Sequence, residues 1–183
     1  CALPIYACVS ASAPEILAIA RIVRARGGAV LARVQEAYEA THAYDFGARA
    51  RVSYPCPMLE GGLCSIYDAR PSVCRMAAST NAIACERALR VLLPETIPTP
   101  GRNLKTRGVY VMAMTIALIH AGLPHRYYEF NSGLAAALAR EDAEEAWLAG
   151  EDIFAGARID PNDAIQSPNT QAMFRHAFGE VRV

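Results

Sequence analysis

Three cysteines within one proline- and glycine-rich segment constrain this chain more than any other feature. Pro55 to Arg75 reads Pro-Cys-Pro-Met-Leu-Glu-Gly-Gly-Leu-Cys-Ser-Ile-Tyr-Asp-Ala-Arg-Pro-Ser-Val-Cys-Arg, with Cys56, Cys64 and Cys74 separated by seven and then nine residues. Pro55 and Pro57 bracket Cys56, fixing φ on either side and keeping it extended. Gly61 and Gly62 allow the tight turn that aims two thiols inward. Pro71 suits the first turn of a short helix that would present Cys74 from a rigid support. Converging thiols on stiff supports are what a closed metal site requires. Soft thiolates suit tetrahedral zinc or an iron–sulfur cluster over magnesium or calcium. The spacing is less specific than that of a zinc ribbon, since no Cys-x2-Cys hook occurs.

Three further cysteines, Cys1, Cys8 and Cys85, make six in all. An even number admits disulfides, but small disulfide scaffolds are usually under about 80 residues and poor in apolar core. This chain has 183 residues and is 53% hydrophobic, enough to bury one full core as a single domain, 1–183. Reduced, metal-binding cysteines are therefore the expectation, and with them a cytoplasmic location. No basic start followed by an apolar core marks a signal peptide. The chain opens on a cysteine, so its numbering can begin inside a longer native protein. The best spanning candidate, Val109 to Ile119, covers eleven residues including Thr115, short of the roughly 20 a membrane-spanning helix needs. With 18 basic and 18 acidic residues the formal net charge is zero. That argues against a nucleic-acid partner, whose binding surface carries a marked positive excess.

Taken in order, the pattern is mainly α-helical. Ser12, Pro14 and Glu15 form a helix start, with a capping box from Ser12 to Glu15. Ile16, Ile19, Ala20 and Val23 then share one face, with Arg21, Arg24 and Arg26 toward water. Gly27 and Gly28 end this helix, and a second runs from about Ala29 to Ala43 with Val30, Leu31, Val34 and Tyr38 inward. The short connection predicts an antiparallel pair. From Tyr44 to Asp68 the periodicity disappears for 25 residues, longer than compact domains leave unstructured, so a bound metal is expected to hold this loop. Ser79, Thr80 and Asn81 cap a helix over Ala82–Val91 that carries Cys85 in its first turn. Pro94, Pro98 and Pro100 make a stiff linker. Thr106 to Gly122, apolar almost all round, is expected to be the central buried helix around which both halves pack. Helices over Tyr128–Arg140 and Asp142–Ala149 follow, and the tail from Asp160 has a turn and a helix over Gln171–Phe178.

Arg70 and Arg75 stand beside the thiols. A four-thiolate zinc site carries a charge of about −2, which guanidinium groups would offset while donating to sulfur or to loop carbonyls. The other use is a surface pair with Asp68 or Glu86. His42, His120, His125 and His176 share no ligand spacing, and the acidic run Glu141, Asp142, Glu144 and Glu145 suits a helix start. Met112 and Met114 read as core. No phosphate-binding loop, Gly-x-Gly-x-x-Gly, Gly-x-Ser-x-Gly or His-Glu-x-x-His occurs, and no nucleophile stands out with its base.

From Cys56 to Arg75 the sequence closely resembles the YkgJ-type cysteine-cluster family, bacterial proteins described as zinc- or iron-chelating. The likeness extends from Cys1, through Cys85-Glu86, to Trp147-Leu148-Ala149-Gly150-Glu151. Family members open with a denser cluster, Cys-x3-Cys-x2-Cys-Cys; Cys1 and Cys8 match its first and third cysteines, while Ile5 and Val9 stand where the others would be. The resemblance implies chelation, not a particular reaction. The expectation is a single, mainly helical domain whose long cysteine-rich loops are organised around a metal site built from Cys1, Cys8, Cys56, Cys64, Cys74 and Cys85. The expected metal is Zn2+. The alternative is iron or an iron–sulfur cluster in a redox protein or enzyme.

Overall fold

The helix start at Ser12 forms as its sequence dictates. Glu15 Oε2 accepts hydrogen bonds from the Ser12 backbone N–H at 2.9 Å and from Ser12 Oγ at 2.8 Å, and α1 runs over Ala13–Arg26. The computed structural model describes residues 8–49, 52–84, 87 and 98–157. In that range α1 is preceded by strand β1 (Ser10–Ser12) and followed by α2 (Gly28–Thr41) and a short α3 (Phe46–Arg49). Strands β2 (Leu59–Glu60) and β3 (Leu63–Cys64), a 3-10 turn at Tyr67–Ala69 and α4 (Ser72–Met76) make up the cysteine segment. The long helix α5 (Gly101–His120), strand β4 (Tyr127–Glu129), α6 (Phe130–Leu138) and α7 (Ala143–Leu148) complete the set, with a 3-10 turn at Ala155–Ala157. The fold is mainly α-helical, and no helix among the described residues is long and apolar enough to cross a membrane.

The core lies elsewhere than the apolar run of α5 predicts. In α5 only Thr115 and Leu118 are buried, while Leu104 and Val109 are 56% and 61% exposed. The central elements are instead α1 and α6, against which α2 also packs. Ile16, Ile19, Ala20 and Val23 of α1 are all fully buried, as their spacing predicts, and Leu134 and Ala137 of α6 meet them from the other side. Gly133 permits that approach: a Cβ there would sit 2.7 Å from Ile16 Cδ1. All-round hydrophobicity failed as a marker of the centre because α6 is short, small-residue-rich and flanked by aromatics. It buries a larger share of itself than α5 does. The α1 and α2 helices touch each other less than either touches α6, so the expected helix pair is really a pair of walls around a third helix.

Two smaller expectations are corrected in the same region. Arg24 is half-buried and does not face water: its Nη2 donates to the carbonyl oxygen of Ala137 at 2.6 Å and to that of Arg140. It thereby satisfies the carbonyls that the end of α6 leaves open. The helix expected from Tyr128 starts at Phe130, because Tyr127–Glu129 pairs antiparallel with β1, Ser10 opposite Glu129 and Ser12 opposite Tyr127. Glu129 then caps α6, its Oε2 accepting from the Ser132 N–H at 2.8 Å. Leu31, expected inward on α2, is 37% exposed, and Ala37 and Thr41 are buried in its stead.

The stretch from Tyr44 to Asp68 has its own structure. Gly61 and Gly62 both take positive φ, 57° and 79°, and join β2 to β3 as a two-residue hairpin with Leu59 opposite Cys64. Met58 and Ile66 on either flank are buried, at 1% and 5% exposure. Arginines from the first helices hold the outside: Arg33 Nε donates to the Pro57 carbonyl oxygen at 2.9 Å and Arg26 Nη2 to that of Ser65 at 2.8 Å. Asn81 Oδ1 accepts from the Ala84 N–H at 3.0 Å and starts the next helix as expected. Most of that helix, with Cys85, lies outside the described residues, as do Cys1, Pro94 and the tail from Asp160.

Candidate functional site

The hairpin and α4 carry Cys56, Cys64 and Cys74 onto the wall of one cavity of about 420 Å3. Its floor is apolar, formed by Val9, Met58, Ile66 and Phe130, all buried. Tyr67, Arg70 and Arg75 stand at its rim. All three thiols are unpaired and half-buried. Each comes from a different local device: Cys56 from the stiff Pro-Cys-Pro run, Cys64 from the second hairpin strand, Cys74 from the helix that opens after Pro71.

Their electrostatics show how near they stand. Burial first, then the neighbouring Cys56 and Cys64, push the Cys74 thiol up to about 12; Arg70 acts in the opposite sense, and Glu15 adds to the rise. Burial likewise pushes Cys56 up to about 11, with Cys64 adding to it and the Met58 backbone N–H opposing it. Burial raises a thiol because the thiolate loses its hydration, and a second thiolate nearby raises it further. At neutral pH the Cys56 and Cys74 thiols hold their protons unless a cation replaces them. Among the described residues no group of three or more His, Cys, Asp or Glu is placed to hold a metal ion. The three thiols share a cavity but are not drawn into a single coordination shell.

Glu15 ties this site to the core, which its capping role alone does not reveal. Besides Ser12, its Oε1 accepts from the Ser72 N–H at 2.7 Å, in the first turn of the helix that presents Cys74. Tyr110 of α5 stands within reach of the same charge: burial, then the Glu15 carboxylate, holds its phenol above the ordinary value. One carboxylate thus joins β1, α1 and α4. The capping-box signal identified Glu15; nothing in the local pattern pointed to Ser72, 57 residues away.

The arginines divide the work that their sequence position implied. Arg70 lies over the Tyr67 ring, 3.4 Å from its centroid, and its Nε donates to the Tyr67 carbonyl oxygen at 2.8 Å. Arg75 Nε donates to the Arg70 carbonyl oxygen at 2.9 Å and its Nη2 to that of Asp68. Loop carbonyls are their partners, and the Arg70 charge reaches Cys74.

Cys8 belongs to a different neighbourhood. Burial, then Glu129, push its thiol up to about 12, while Arg49 opposes them. Arg49 is 3% exposed. Its Nε faces Glu129 Oε1 at 3.5 Å, in charge contact but without hydrogen-bond geometry. The next residue, Val9, lines the cavity, while Cys8 is not part of its lining. Of the six cysteines, three meet at the cavity, Cys8 stands apart from them, and Cys1 and Cys85 lie outside the described residues. No protein-family model, curated protein or solved structure matches this chain.

Proposed function

We propose that the chain binds a transition metal through Cys56, Cys64 and Cys74, zinc first and iron or an iron–sulfur cluster second, as a member of the YkgJ-type cysteine-cluster family. The observation that carries this reading is the meeting of three unpaired thiols from separate local elements on one cavity wall. Thiolate donors select soft or borderline ions. Such an ion would replace the thiol protons and stabilise the thiolates that burial disfavours. Arg70, whose charge already acts on Cys74, would offset the excess negative charge of a multi-thiolate centre. Because the thiols are spread over the wall, binding would draw the hairpin and α4 together. Glu15 would position Cys74 in that movement through its bond to Ser72.

Metal content of protein purified without air tests the reading. The expected result is about one zinc per chain, colourless, with Cys74→Ser losing most of the metal and Cys8→Ser retaining it. A brown protein with visible absorbance would identify the iron–sulfur alternative. Full metal occupancy in Cys74→Ser, or no metal in the wild type, would overturn the assignment of these ligands.

A further inference from the structure

The cavity is far larger than an ion and its thiolates require. At about 420 Å3 it falls in the roughly 300–1,000 Å3 range of small-molecule pockets. Its composition fits that class too: an apolar floor of Val9, Met58, Ile66 and Phe130, with few charged or polar side chains in the lining. The charged group best placed to orient a ligand is Arg70. Stacking on Tyr67 and the single bond from Nε fix its guanidinium plane, and among the described residues its two Nη atoms have no hydrogen-bond partner. Arg75 holds the Arg70 carbonyl from behind. The carboxylate whose charge acts on Cys74, Glu15, is already bonded to Ser12 and Ser72 and is not part of the lining.

We infer that this cavity is a binding site for a small organic carboxylate with an unbranched apolar body, the carboxylate held by Arg70 at the rim and the body lying over Met58, Ile66 and Phe130. A fixed guanidinium presents paired donors that match a carboxylate in a forked geometry. The buried floor rewards an apolar body and gives no partner to a polar group laid against it. An amine of the same length meets Arg70 with like charge. The site goes beyond metal binding and does not depend on it, since the floor and Arg70 stand without an ion.

Hexanoate, hexan-1-ol and hexylamine are the probes, titrated into chelator-treated, metal-free protein by calorimetry and by following the methyl resonance of Met58. Hexanoate should bind saturably, with a dissociation constant on the order of 1 mM for a ligand of about eight heavy atoms. It should bind about tenfold tighter than hexan-1-ol, because a charge-assisted pair is lost in the alcohol. Arg70→Gln should erase that preference while hexan-1-ol still shifts Met58. Equal binding of all three probes would overturn the inference, as would absence of saturable hexanoate binding or hexanoate binding that leaves Met58 unmoved. The wild-type series decides these points even if the variant fails to fold. Working without metal separates this result from the metal reading, which fails or stands on metal content alone.

Discussion

The interface of α1 with α6 and the wall that carries the cysteines are built by opposite means. At the first, apolar side chains close completely: Ile16, Ile19 and Leu134 are fully buried, and Gly133 leaves no space for even one more carbon beside Ile16. At the second, Met58 and Ile66 plug the segment from below, but the thiols are only half-buried and a cavity opens between them. Hydrogen bonds from Arg26 and Arg33 hold the outside of the segment, and Glu15 accepts from the Ser72 N–H on its core side. The difference teaches that the cysteine segment is a surface attachment on a sealed core. The fold gives the thiols two supports, a short helix and, in a stretch where the sequence showed no periodicity, a hairpin.

The sharpest way to break this contrast is to open the sealed side. Leu134→Ala should lower unfolding free energy by about 2–5 kcal/mol, the cost of deleting a fully buried aliphatic side chain that close packing cannot replace. Urea denaturation of the metal-free protein measures it. Cys56→Ser, beside an existing cavity, should cost much less in the same assay. Comparable losses would show that the thiol wall is as integral to stability as the core.

Adding bulk tests the same seal from the other direction. Gly133→Ala places its Cβ 2.7 Å from Ile16 Cδ1, so Ile16 must leave its rotamer, at about 1–3 kcal/mol. The end of a side chain can yield where backbone cannot, so a loss near the lower figure is expected. Restoration by Ile16→Val in the Gly133→Ala background would confirm the clash, and failure to restore would place the strain elsewhere.

These two sides were unequally legible in the sequence. The α1 face, its capping box, the glycine turn and the helix presenting Cys74 all follow from local rules, because capping and turn chemistry act over a few residues. Tertiary competition decided the rest. Hydrophobicity alone favoured α5 as the centre, but α1 and α2 close on α6 instead and leave Leu104 and Val109 of α5 exposed. Tyr128 reads as helix by periodicity, yet its pairing with Ala11 draws it into a strand. The cysteine pattern gave the wall but not the floor: Val9 and Phe130 reach the cavity only because β1 and the start of α6 are neighbours, with the Phe130 N–H donating to the Val9 carbonyl oxygen at 2.9 Å.

Alkaline titration sharpens the comparison further, since the thiols ionise while Ile16, Ile19 and Leu134 cannot. In the unfolded chain the thiols titrate near their ordinary value of 9.0; in the fold Cys56 is pushed to about 11 and Cys74 and Cys8 to about 12. The native state therefore keeps protons that the unfolded chain gives up. This contribution to stability is fully present below pH 9 and is lost as pH rises through about 11 to 12. In metal-free protein the wild-type midpoint should fall over that window. The Cys56→Ala and Cys74→Ala double variant should fall less steeply, and the difference removes the tyrosine contribution common to both. Parallel slopes would show that these thiols are not held protonated by burial.

The smallest expected effect concerns the attachment itself. Arg33 Nε donates to Pro57 at 2.9 Å, and Nη2 meets Glu60 Oε1 at 2.5 Å with the glutamate half in water. An exposed ion pair and one hydrogen bond together contribute about 1 kcal/mol. Arg33→Ala should thus barely move the global urea midpoint. Its effect should appear locally, as faster hydrogen exchange of the hairpin amides, the Ser65 N–H that donates to the Met58 carbonyl among them, with the α1 and α6 amides unchanged. Such a split would show that the cysteine segment opens as a unit on a closed core. Equal acceleration in α6 would mean that the segment and core unfold together, and the distinction between attachment and core would fail.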